Sequence, residues 1–104
     1  MKVIDVNELR TALGLYAFGE YTEKMTLKSI DTTPGYGVSD EKSYAYYNIT
    51  VENERGLVIK MKYKVYEAEE GLKLEDYKNG GEYTVKFTVE EGNFETEYTI
   101  LDVK

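Results

Sequence analysis

Apolar residues recur along the chain with two different periods. Between Asp5 and Gly14 they fall at helical spacing, with Val6, Leu9 and Leu13 on one face, so a short helix is predicted over residues 5–14. Asp5 is placed to cap it, Glu8 follows three positions later as in a capping box, and Gly14 provides a stop. Leu15 to Gly19 is an apolar connector whose aromatics, Tyr16 and Phe18, are expected to cover an open end of the core.

From Tyr21 the period becomes two. Tyr21, Met25 and Leu27 alternate with Lys24, Thr26 and Lys28, which predicts a first strand. Asp31 to Lys42 holds the only proline, Pro34, with Gly35, Gly37, Ser39 and Asp40, and is expected to be an exposed loop. A hairpin follows, with Ala45, Tyr47, Ile49 and Val51 inward, a turn at residues 53–56, and Leu57, Ile59, Met61, Tyr63 and Val65 inward on the return strand. Residues 67–81 are polar and glycine-broken, with Leu72 and Leu74 as anchors and room for a helical turn. A last hairpin sets Tyr83, Val85, Phe87 and Val89 against Phe94, Tyr98 and Ile100 across the turn 90–93, with Val89 opposite Phe94.

This reading gives a mainly β (α+β) chain. The expected architecture is a five-stranded antiparallel twisted sheet, or a small OB-like barrel, with one short N-terminal helix over 5–14 and the β region over 21–103. At 104 residues one domain covering 1–104 is expected, with few large apolar side chains to spare for a deep pocket.

Charge is distributed unevenly. Nine acids and nine bases cancel between Met1 and Tyr66, whereas eleven acids face four bases from Glu67 to Lys104, so the whole net charge of -7 resides in the last 38 residues. There is no cysteine and hence no disulfide or thiolate metal site. No apolar run approaches the ~18 residues that span a bilayer, and the N-terminus does not read as a signal peptide, so a cytoplasmic protein without membrane contact is expected.

The chain also lacks histidine, and none of Ser29, Ser39 and Ser43 has a base within an evident motif. Without the side chains that titrate near neutrality, a non-catalytic protein with no cofactor is expected. The acids of 67–76 do not follow the order that folds oxygen ligands around calcium, so no metal site is expected.

Two surfaces remain as binding candidates. One is acidic: Glu67, Glu69, Glu70, Glu75, Asp76, Glu82, Glu90, Glu91, Glu95 and Glu97, whose concentration in one third of the chain suits a basic nucleic-acid-binding protein as partner. The other is the row Lys60, Lys62 and Lys64, spaced about 7 Å apart on an outward strand face. Tyr44, Tyr46 and Tyr66 are candidates for the same face, giving the cation-and-ring pattern that tracks phosphates and stacks bases of single-stranded nucleic acid. A repelling overall charge weighs against direct nucleic-acid binding, so the acidic surface is the first expectation and the basic face the alternative.

In size, in acidic strands such as Glu82-Tyr83-Thr84-Val85-Lys86-Phe87 and Glu95-Thr96-Glu97-Tyr98, and in lacking catalytic residues, the chain resembles small acidic inhibitors encoded by phages and mobile elements, of the anti-CRISPR type. That resemblance implies occlusion of a basic groove in a CRISPR effector. Over Tyr21 to Val103 the strand pattern is also similar to small OB-type single-strand-binding proteins of phages and conjugative elements.

Overall fold

The alternating segments form six strands in a computed structural model that describes residues 5–67, 69–92 and 95–104. They are β1 (Gly19–Ile30), β2 (Gly35–Ser39), β3 (Lys42–Asn53), β4 (Val58–Tyr66), β5 (Glu82–Glu91) and β6 (Thr96–Val103), preceded by the helix α1 (Val6–Ala12). The sheet order is β1-β5-β6-β4-β3-β2, and β1 also pairs with β3. Five strands therefore close into a ring, and β2 hangs outside it on β3. The chain is mainly β with one short helix, as the alternation implied, but two expectations change.

The first change is the direction of one pairing. β4 and β6 run parallel, through Lys62↔Thr99 and Tyr63↔Ile100, while every other pairing is antiparallel. A ring with an odd number of strands cannot alternate direction all the way round, so closure of five strands forces one parallel contact. The second change is the sixth strand, which lies in the stretch expected to be a loop. β2 pairs with β3 from Gly35↔Tyr46 to Ser39↔Lys42 around the two-residue turn Asp40-Glu41, and both turn residues have positive φ. That geometry is the tight hairpin turn that matches strand twist, reached here without the usual glycine or asparagine.

Inward positions of all five ring strands fill the core: Met25 and Leu27, Ile49 and Val51, Ile59, Met61 and Tyr63, Val85, Phe87 and Val89, and Ile100. Tyr16 closes one end, edge-on to Tyr21 at 5.0 Å and to Phe87 at 5.3 Å between ring centroids. Its hydroxyl donates to Glu23 at 2.7 Å and accepts from the buried amide of Asn53 at 2.9 Å. The opposite end is covered by Leu72, Leu74 and Tyr77 of the segment between β4 and β5, which contains a single 3-10 turn, Leu74–Asp76.

The helix is shorter than expected and uses its faces differently. Asp5 caps it by accepting the Asn7 N–H at 2.7 Å, but Val6, Leu9 and Leu13 are exposed. Arg10 fastens α1 instead, donating to the Tyr16 carbonyl at 2.6 Å, to Thr96 Oγ1 at 2.9 Å and to the Tyr98 hydroxyl at 2.9 Å. Tyr16 seals that end of the core, and the Arg10 guanidinium lies 5.4 Å from the centroid of the Phe18 ring.

In the last hairpin Val89 lies opposite Tyr98 rather than Phe94, because β5 continues to Glu91 and the connection becomes 92–95. Asn93 and Phe94 lie outside the described residues, as do Met1 to Ile4. The shift moves the partner by an even number of residues, so the inward faces still meet.

Candidate nucleic-acid interface

β3 and β4 pair along nine residues, which fixes their outward side chains as neighbours: Tyr44 beside Tyr66, Tyr46 beside Lys64, Asn48 beside Lys62 and Thr50 beside Lys60. All six residues of the predicted basic and aromatic face therefore come together. Tyr44 is at the centre of the rings, 5.2 Å from Tyr66 and 6.2 Å from Tyr46 between centroids. Lys64 Nζ lies 5.0 Å from the Tyr44 centroid and Lys62 Nζ 5.0 Å from that of Tyr46.

Glycines on β2 seat this cluster. Gly35 and Gly37 stand opposite Tyr46 and Tyr44, and a Cβ added to either would run into the facing ring. The tyrosines therefore lie across the edge strand, a known way for rings to cover backbone that glycine leaves bare.

A groove of about 760 Å³ runs beside the lysine row. β4 and β6 pair through only two residues and then diverge, so Lys60, Lys62 and Lys64 face Glu95, Thr96 and Glu97 across the gap, with Tyr44 and Asn48 along its side. Lys64 bridges to Glu97 at 3.1 Å, while Lys60 and Lys62 are in no ion pair among the described residues. Burial, the largest influence on the Lys64 ammonium, would lower its pKa, but the Glu97 carboxylate holds it above its ordinary value.

The acidic residues do not form one surface. Glu82 opens β5 and Glu90 and Glu91 close it, eight and nine residues on, which places them about 26 to 30 Å apart along the strand. Glu67, Glu69, Glu70, Glu75, Asp76 and Glu82 belong to the end covered by Leu72 and Leu74, and all six are exposed. Glu90, Glu91, Glu95 and Glu97 belong to the end sealed by Tyr16, where Glu97 is drawn onto Lys64 and lies opposite Glu90. Among the described residues no three acidic side chains converge as a metal site requires, and no helix is long and apolar enough to cross a membrane.

Sequence reasoning missed the glycine seat, the groove and the intrusion of Glu97. The signal for the seat was present, since Gly35, Gly37, Tyr44 and Tyr46 all fall at spacing two around Asp40-Glu41. The groove had no local signal, because it follows from β6 lying beside β4. In comparison with known proteins the chain matches no family model, no curated protein and no solved structure.

Proposed function

We propose that this chain binds single-stranded nucleic acid across the outer face of β3 and β4. The observation that carries the reading is the juxtaposition of three lysines with a three-tyrosine cluster on one open sheet face beside a groove. Cations at about 7 Å intervals suit successive phosphates, and the open part of each half-buried tyrosine ring accepts bases of any identity. In OB-type rings the second and third strands carry the oligonucleotide surface, and here these are β3 and β4. The net charge of -7 does not forbid this. Glu95 and Glu97 border the groove and Glu97 holds Lys64, but Lys60 and Lys62 are in no ion pair among the described residues, and six of the acids belong to the Leu72/Leu74 end.

The test is fluorescence anisotropy with a labelled oligothymidylate and its ribo-counterpart at low salt, followed by salt titration. Three phosphate contacts predict a slope of log K against log salt near -2. Changing Lys60, Lys62 and Lys64 together to alanine should flatten it, and no binding at low salt by either strand would remove the proposal.

A second reading, docking on a basic nucleic-acid-binding protein such as a CRISPR effector, is favoured by the six exposed carboxylates at the Leu72/Leu74 end, none in an ion pair among the described residues. Reversing Glu69, Glu70 and Glu75 to lysine would abolish inhibition of such an effector and leave oligonucleotide binding intact. Retained inhibition would dismiss this reading.

A further inference from the structure

The hairpin β2–β3 projects past the ring and leaves the outer edge of β2 without a partner among the described residues. Its five residues, Gly-Tyr-Gly-Val-Ser, carry no charge. Edge strands are commonly protected by lysine, proline or a bulge within the strand, and β2 has none of these. Tyr36 is 78% exposed and Val38 70% exposed, beside a shallow hollow of about 610 Å³ that Ala45 and Val65 also line.

We infer that β2 is a self-pairing edge: two copies of this chain join antiparallel through it, with Gly37 at the two-fold axis. The register follows from the hairpin. A two-residue turn makes Ser39–Lys42 a hydrogen-bonded pair, so Ser39, Gly37 and Gly35 direct their backbone groups to β3, and Tyr36 and Val38 direct theirs to the free edge. Antiparallel pairing about Gly37 brings Tyr36 opposite Val38 of the second copy, and the reverse, with both residues exchanging N–H and C=O. Each is an aromatic against a β-branched side chain, a favourable cross-strand combination. The strand is thus complementary to itself in backbone and side chains.

Charge leaves this edge as the place where two copies can meet. Two chains of net charge -7 repel over most of their surfaces, and β2 itself carries no carboxylate, with Glu67 at the rim of the hollow and Asp40 and Glu41 at the turn as the nearest acids. In this register Asp40 and Glu41 at the turn come opposite Pro34 and Thr33 of the second copy, so no acid faces another along the seam. The two side chains on each copy bury only several hundred Å², below the roughly 1,200–2,000 Å² of a stable interface, so the dimer is concentration-dependent.

The inference stands on the hairpin alone and does not require the proposed nucleic-acid binding. Where both hold, the two tyrosine faces share one side of a continuous sheet, with their β4 lysine rows five strand spacings, about 24 Å, apart.

Sedimentation measures the association, and cross-linking reads the register. The mass should rise from the 12.0 kDa monomer toward twice that value between micromolar and millimolar concentration. Val38→Pro removes an edge N–H without touching β3, and Val38→Lys adds charge at the seam. Either should hold the protein monomeric, with circular dichroism confirming the fold. The chain has no cysteine, so a mixture of Tyr36→Cys and Val38→Cys proteins should yield an oxidised covalent dimer. Each variant alone should yield little, because like positions lie on the diagonal, beyond disulfide reach. A monomer throughout the concentration range, cross-linking that ignores the pairing of 36 with 38, or association that survives both Val38 variants would overturn the inference.

Discussion

Replacing Asn53 by alanine should cost far more than an ordinary turn substitution. Asn53 is the only buried polar side chain among the described residues, and it joins three parts of the fold. Its amide donates to the Tyr16 hydroxyl at 2.9 Å, and its Oδ1 accepts the N–H groups of Arg55 at 3.0 Å and Leu57 at 2.9 Å. Alanine leaves the Arg55 N–H to water, since that turn residue is exposed, at little cost. The Leu57 N–H and the buried Tyr16 oxygen are harder to rehydrate, and each abandoned group costs about 1–3 kcal/mol. Tyr16 keeps its bond to Glu23, which puts the sum in the lower half of about 2–6 kcal/mol, at about 3 kcal/mol. For a chain of this length that corresponds to a melting point lower by roughly 10–25 °C. Denaturant unfolding should show the loss as a lower midpoint with an unchanged slope. Combining Asn53→Ala with Tyr16→Phe should give a non-additive total, because both remove the same contact. A loss under about 0.5 kcal/mol, or two strictly additive effects, would refute the idea that this amide ties the turn to the end plug.

Three further outcomes follow from other sites. Glu97→Gln frees the Lys64 ammonium and relieves the opposition to Glu90, so oligonucleotide affinity at low salt should rise several-fold; unchanged or weaker affinity in the anisotropy assay would count against the groove as the binding path. Gly37→Val would drive a side chain into the Tyr44 ring and should destabilise by about 1–3 kcal/mol in urea melts, whereas an equal change at the open position Gly80 would act only through its positive φ. In alkali, Tyr16 and Tyr77, both raised mainly by burial, and Lys64, raised by Glu97 against the effect of burial, retain protons that the unfolded chain has lost. Their contribution to stability is therefore complete below about pH 10 and declines as pH climbs through the folded values; thermal melts that stay level well above that point would contradict it.

The hairpin β3–β4 and the basic face were legible because strict alternation over Ala45–Val51 and Leu57–Val65 sets both register and facing. β2 was hidden by composition: Pro34, two glycines and an Asp-Glu turn carry loop statistics, although Tyr36 and Val38 keep the period of a strand. The helix showed Asp5 as its cap and Gly14 as its stop, but not burial, since Val6, Leu9 and Leu13 share a face that is exposed. The arrangement of the acids was not legible at all. Proximity along the chain suggested one patch, but a ten-residue strand carries its two ends to opposite ends of the molecule, and only tertiary pairing sends Glu97 to Lys64.

The order of strands in the ring also dictates a timetable for synthesis. β1 pairs with β5, joining Gly19 to Val89, and β6, the last of these elements to emerge from a ribosome, fills the gap between β5 and β4. Until then the nascent chain can hold the β5–β1–β3–β4 and β2–β3 pairings but cannot close the ring, and the facing edges of β5 and β4 stay open. Ring closure therefore comes late and in one step, and the most aggregation-prone moment falls just before β6 becomes available.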